Sequence, residues 1–407
     1  VLEVVLLGAA DLDVVLAHDS LPGSLPNFRV VDVRAICYWR GGAEDTYPNG
    51  CRVFGDTPMC SLCGYWSEKV DRPKQSFLDY FSMTDGINII DIYCGAGGFS
   101  HGFDGLDELD VIAAFDAWDT AVATYNINRV DDHGYVEDLS TFSPSDAESK
   151  YGLELSDVDV IVGGPPCQGF SLMGRRDPSD ERSNQVQRYF DWVDYFRPEI
   201  WLMENVPGLL SMENGEAIDS IVEAGEGMGY AVDYRVINAD EYEVPQSRKR
   251  LVVVGYKTES WEWPEPVTPN SPVPCGYELD SISEVAATGP GDEPSGWAPN
   301  HHSSNPWSST IERYLGEVEH GGDMYGGETQ IRLDPTKPAR TIIGSNAHWH
   351  PYLARELTIR EQANLQTFRS WYHFEGTKAD QQRQVGNAVP RKVAQHLGQS
   401  VIDAFLG

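Results

Sequence analysis

The 407-residue sequence predicts an α/β fold: a doubly wound, mostly parallel sheet with a second, smaller, loop-rich domain. Three observations carry this. From residue 87 onward, β-branched runs alternate with segments of helical periodicity. Several runs are continuously apolar rather than alternating, as strands buried on both faces are. The alternation then stops at 257, where Pro, Gly, Ser, Asn and Trp accumulate to about residue 350.

In chain order, INIIDIY (87–93) reads as the first strand, ending in a glycine-rich turn that opens a helix reaching about residue 106. VIAAFDAW (111–118) is the second strand, with TAVATYNINR as the helix behind it. VDVIVGG (158–164) is a buried strand, followed by a polar loop and a helix near 184–196. EIWLMENV (199–206), a helix over 213–228, YAVDYRVIN (230–238) and RLVVVGY (250–256) complete the sheet. Helical periodicity returns over 356–368 and 389–406. These elements predict a catalytic domain over 83–256, a second domain over 257–353, and a segment over 354–407 that returns to the first domain.

Hydrophobic residues make up 41% and aromatics 11%, which excludes a solvated acidic tail. No apolar run approaches the roughly 20 residues that span a bilayer. The opening VLEVVLLGAADLDVVLA carries acids and no basic leader, a poor secretory signal. Cysteines at 37, 51, 60, 63, 94, 167 and 275 form no regular framework, so a reducing, cytoplasmic setting is expected. Residues 1–82 carry 11 acids and 7 bases against 52 and 23 in the remainder, and Met83 directly precedes the first strand. They read as an appendage or as upstream sequence. Within them Cys60 and Cys63 form a lone CxxC, a weak zinc candidate without a matched second pair. No other metal site is expected.

The net charge of −33 first argues against a nucleic-acid partner, because phosphate contacts call for Lys and Arg. Only 8 of the 30 basic residues are Lys, however, and acids are spread along the whole chain. Pervasive acidity with scarce Lys is expected of a protein kept soluble in concentrated salt, where exposed charges are screened. The alternative is an ordinary acidic enzyme.

Chemistry concentrates where strands end. CGAGGFS (94–100) lets the backbone turn tightly and bring N–H groups to a ligand: Gly95, Gly97 and Gly98 after Tyr93. Asp116, ending the second strand, can take two ribose hydroxyls. Trp118 either covers an adenine face or packs in the core, and Asp138 and Leu139, after a third strand, can read the adenine edge. GGPPCQGFS (163–171) presents Cys167 on a rigid turn, and a thiolate is the strongest side-chain nucleophile near neutral pH. Cys94, inside the nucleotide turn, is expected to pack instead. MENVPG puts Glu204 on the same edge, and QSRKR (246–250) supplies Arg248 and Arg250 on one face of an extended segment.

These stretches, in this order, resemble the DNA cytosine-5 methyltransferases over about 87–405. DIYCGAGGFS is similar to their cofactor loop, GGPPCQGFS to their nucleophile motif, ENVPG to their Glu motif and QSRKR to QxRxR. RELTIREQANLQTF (355–368) and QVGNAVP (384–390) resemble their closing motifs. The resemblance implies a class I, Rossmann-like S-adenosylmethionine-dependent enzyme that flips a cytosine out of double-stranded DNA. Cys167 would add to C6, Glu204 would hold N3 and the exocyclic amine, and Arg248 would steady the base and offset the Glu204 charge. Tyr93, the three glycines, Asp116, Trp118, Asp138, Leu139, Asn387 and Val389 would hold the cofactor. Gln168, Ser171, Gln246, Arg250 and Thr341 would touch DNA. Thr341 has an equal alternative, capping a strand. Residues 257–350 match the target-recognition domain in position.

Departures from the family pattern are Gln185 where Leu is common, Asn364 where Arg is common, and Asp116 where Glu is common. A monomer is expected, with a separately acting restriction endonuclease as its partner in the cell. The rival activities are tRNA cytosine-5 methylation by the same fold and a catalytically silent DNA-binding relative.

Overall fold

The computed structural model describes residues 86–166, 185–282, 298–302, 310, 314, 318–324, 330–345 and 347–406. All belong to the compact unit Thr84–Gly407. The 1–82 appendage with Cys60 and Cys63, and the site candidates Cys167, Gln168 and Ser171, lie outside the described residues.

Seven strands make one sheet in the order β3-β2-β1-β4-β5-β8-β6: β1 (Ile87–Ile92), β2 (Leu109–Asp116), β3 (Gly134–Val136), β4 (Val160–Gly163), β5 (Ile200–Asn205), β6 (Ala231–Asn238) and β8 (Lys249–Tyr256). The short β7 (Gln246–Ser247) lies just before β8. Strands β1 to β5 pair in parallel, and β8 runs antiparallel to both β5 and β6. The reversal has a plain cause: the link 239–248 is shorter than the dozen or so residues a parallel crossover needs.

Alternate residues of each central strand enter opposite cores, which is why these strands are apolar throughout. Ile90, Ile161 and Met203 join Trp192 of α4 (Gln185–Phe196) on one face. Ile89, Val160 and Leu202 meet Leu397 and Val401 of α9 (Arg391–Leu406) on the other. The sheet is thus wound on both sides. The remaining helices are α1 (Gly98–Phe103), α2 (Asp119–Ile127), α3 (Pro144–Tyr151), α5 (Glu216–Gly227), α6 (Cys275–Asp280), α7 (Ile359–Leu365) and α8 (Lys378–Asn387). Strand order reverses at β1, whose neighbours β2 and β4 lead away in opposite directions, opening a crevice at the carboxyl ends.

Beyond 257 the chain returns through β9 (Ala339–Arg340), which pairs in parallel with β7 as a separate two-stranded sheet. Helix α7 starts with a reciprocal cap between Thr358 and Glu361, and Arg355 forks onto both Glu361 oxygens at 2.7 Å. Asn364 accepts from Arg360 Nε at 3.0 Å, so its short side chain receives a buried guanidinium.

Candidate active site at the carboxyl edge

A cavity of about 490 Å³ opens at the carboxyl ends of β1, β2, β4 and β5, in the range of small-molecule pockets. Tyr93 begins the turn after β1 with φ 60°, a left-handed conformation costing a tyrosine roughly 1–2 kcal/mol. Its hydroxyl donates to Gln185 Oε1 at 2.8 Å and to the Gln185 carbonyl at 3.1 Å. Gly97, at φ 80°, caps α1 where a side chain would strain. The Gly95 N–H donates to Asp116 Oδ2 at 2.9 Å, and the Trp118 N–H to Asp116 Oδ1 at 2.8 Å. Two backbone amides therefore aim this carboxylate. Burial pushes its pKa up, while those amides and the charge of Arg383 pull it back. Trp118, Asp138 and Leu139 also line the cavity, with Asp138 held by the Ser140 N–H at 2.9 Å.

Asn387 and Val389 reach the cavity from the far end of the chain. The close approach is set by Gly98: a Cβ there would lie 2.7 Å from the Val389 nitrogen and 2.8 Å from its oxygen. Gly98→Ala is expected to destabilise the protein by about 1–3 kcal/mol. A melting curve should show this as a clear fall in midpoint. A midpoint equal to that of the native chain would mean that the contact yields freely.

At the catalytic end, Glu204 closes β5 and lines the cavity. Burial raises its pKa, opposed by the charges of Arg250 and Arg248. Asn205 donates through Nδ2 to the Pro165 carbonyl at 2.9 Å, and a Cβ on Gly164 would sit 3.2 Å from Glu204 Oε2. The two strand ends are thus locked side by side, with Pro166 in the cavity wall and Cys167 next in sequence.

Three expectations require correction. Arg248 was expected to steady the base and offset the Glu204 charge. Its charge does act on Glu204, but the residue is buried and its guanidinium donates to the carbonyls of Ile342 (2.9 Å), Gly386 (2.8 Å) and Ala388 (3.2 Å). Arg250, expected on DNA, carries the ion pair to Glu204, Nε to Oε1 at 2.8 Å. Arg248 and Arg250 are two residues apart, but the Arg248 guanidinium is consumed by backbone carbonyls. Gln246, also expected on DNA, is fully buried: Oε1 accepts the Ile342 N–H at 2.9 Å and Nε2 donates to Gln366 Oε1 at 3.0 Å. Thr341 is half-buried, and its hydroxyl donates to the Ser247 carbonyl at 2.8 Å, the strand-capping alternative.

Cys94 is buried in the cavity wall, and its thiol is pushed well above its usual pKa, with Asp116 and Asp91 adding to the effect of burial. Other lining residues were not singled out as site candidates. Asp91 accepts from Ser100 Oγ at 2.6 Å, and burial pushes its carboxyl up to about 7. An acid inside the apolar run INIIDIY was the available signal. Gln384, the first residue of QVGNAVP, and Arg383, which no motif marked, line the wall from α8.

The profile of a family described as C-5 cytosine-specific DNA methylase matches residues 87–403. Among curated proteins, the Type II methyltransferase M.DdeI of Desulfomicrobium norvegicum is 32% identical over 373 residues, covering 77% of this chain and 88% of the relative. The Type II methyltransferase M1.HphI of Haemophilus parahaemolyticus is 32% identical, covering 87% and 97%. Among solved structures, a prophage-encoded protein of E. coli assigned as a DNA modification methyltransferase aligns with a TM-score of 0.67 at 24% identity, over 79% of this chain and 100% of that one. The S. pombe Dnmt2 methyltransferase aligns with a TM-score of 0.55 at 20% identity, over 79% and 99%. These two are likenesses of fold.

Proposed function

The chain belongs to the C-5 cytosine-specific DNA methylase family, and from that premise we propose that it methylates C5 of a cytosine flipped out of a specific double-stranded DNA sequence. The observation that carries this is the side-by-side anchoring of the Glu204 strand end and the Pro165–Pro166 turn that leads into Cys167, at the edge of one cavity.

The cavity fits S-adenosylmethionine. Its volume suffices, a backbone-aimed carboxylate (Asp116) suits a ribose diol, and Trp118 and Leu139 offer apolar surface to an adenine beside the Asp138 acceptor. Tyr93, Gly95, Gly97, Gly98, Asn387 and Val389 would enclose the rest. Bound there, S-adenosylmethionine supplies an electrophilic methyl group. The chain's own residues prepare the base. Cys167 thiolate adds to C6, and Glu204 gives N3 a proton as charge moves into the ring. That makes C5 nucleophilic. Arg250 holds the Glu204 carboxyl in place. Once C5 carries the methyl, loss of the C5 proton to water, expulsion of Cys167 as the thiolate and return of the N3 proton to Glu204 restore the enzyme. Residues 257–353 serve as the target-recognition domain, with Arg340 and Thr341 at its seam with the sheet. Gln168 and Ser171, which flank the nucleophile in sequence, contact the DNA. The enzyme acts as a monomer in the cytoplasm, its sites also those of a separate restriction endonuclease.

Bisulfite sequencing of host DNA with and without the gene tests the substrate. One recurring sequence should be methylated only when the gene is present. Unmodified DNA together with methylated tRNA would replace this proposal by its rival.

We further propose adaptation to concentrated salt, supported by the −33 charge and only 8 Lys. Local balances differ where DNA is expected: residues 171–188 carry four bases and three acids, 242–250 three and one, 330–360 five and two. The melting midpoint is expected to climb by several degrees as KCl rises from roughly 0.1 M to roughly 3 M. A midpoint that is flat or falling with salt excludes the adaptation.

A further inference from the structure

Helix α8 brings to the cavity a side chain that belongs to none of the catalytic motifs. Arg383 lines the wall with Asn387, one turn further along the same helix face. Its guanidinium carbon lies 4.6 Å from the centroid of the Trp118 ring. In a chain with 63 acids and 30 bases, among the described residues Arg383 has no carboxylate within ion-pairing distance. The cation is applied to an aromatic face instead.

The hydrogen bonds of Trp118 among the described residues run through its backbone. It precedes α2 as the N-cap residue, and its N–H is given to Asp116. Neither contact sets where the half-buried indole ring lies. A guanidinium over the ring does, and both side chains line the cavity. Arg383 also faces Asp116, whose carboxylate it favours against burial. Asp91, Tyr93 and Cys94 also feel the Asp116 charge, and Arg383 brings positive charge to it. The contact suits concentrated salt as well. An exposed ion pair is screened over about 3 Å at 1 M, whereas a cation seated on a ring excludes the intervening solvent.

We propose that Arg383 is a positioning residue of the cofactor pocket: stacked on Trp118, it fixes the indole as the wall an adenosyl group packs against. This makes affinity at the carboxyl ends of β1 and β2 depend on a residue supplied by the C-terminal segment. The inference rests on the reading of the cavity as the S-adenosylmethionine site.

The test is calorimetric titration of the full chain with S-adenosylhomocysteine. The native protein is compared with Arg383→Lys, Arg383→Met, Trp118→Leu and the Arg383→Met/Trp118→Leu double variant. Arg383→Met is expected to weaken binding about 5-fold. Arg383→Lys, which keeps a cation, should recover most of that. In the Trp118→Leu background, Arg383→Met should add nothing. Unchanged affinity in Arg383→Met overturns the proposal, and so does a loss of equal size with and without the indole. If the native chain itself takes up no S-adenosylhomocysteine, the reading of the cavity falls, and the proposal with it. Because Arg383 is exposed, ligand-free melting midpoints should match, so a loss of affinity cannot be assigned to unfolding.

Discussion

Cys167→Ser is expected to lower methyl transfer by about 10⁴-fold or more and to remove all covalent capture of DNA. A serine hydroxyl remains protonated near neutral pH, whereas a thiol is the side chain most readily activated as a nucleophile. The measurement is a duplex carrying 5-fluorocytosine at the target site, incubated with S-adenosylmethionine and resolved under denaturing conditions. The native protein should shift the DNA, because fluorine cannot leave C5 as a proton does. The variant should not. No other described cysteine can substitute. Cys94 and Cys275 are both buried, the thiol of Cys94 pushed well above its usual pKa and that of Cys275 up to about 12. A persistent adduct in Cys167→Ser would therefore exclude the proposed nucleophile outright.

The fold was legible because its strands are buried on both faces, so apolar runs such as those at β4 and β5 stood out without any need for alternation. Helices were less so where their buried faces are polar. α8 has the sequence KADQQRQVGN, and its buried positions include Gln382 and Gln384. Gln382 donates to the Ile343 carbonyl and Gln384 accepts from Thr124. Such a helix is held by hydrogen bonds that no hydrophobic period announces. α3 escaped for a related reason: it buries only Pro144 and Ala147 and is defined by a Ser143–Asp146 cap. At the site, Glu204, Asp116, Asn387 and Val389, marked by strand ends and motif order, line one cavity. Sequence spacing could not tell which arginine of QSRKR faces the carboxylate. That depends on where the carbonyls of 342, 386 and 388 lie, and these come from segments about a hundred residues further on.

Glu204→Gln is expected to slow turnover by about 10²–10³-fold, the size of one general acid lost at a transition state. The amide keeps the shape and one acceptor but has no proton to give N3. The pH dependence separates this role from mere packing. Burial raises the Glu204 pKa, so the carboxyl holds its proton to higher pH than an exposed glutamate, although Arg250 and Arg248 oppose this. The native enzyme should thus lose activity as pH rises through that raised pKa, because the acid form is the working one. Glu204→Gln has nothing to titrate there, and its residual activity should lose that alkaline limb. Arg250→Met removes the closest opposing charge, so the Glu204 pKa should climb and the limb should move to higher pH. A limb that stays put in Arg250→Met, or survives in Glu204→Gln, would assign the titration to another group and leave Glu204 as a hydrogen-bonding wall alone.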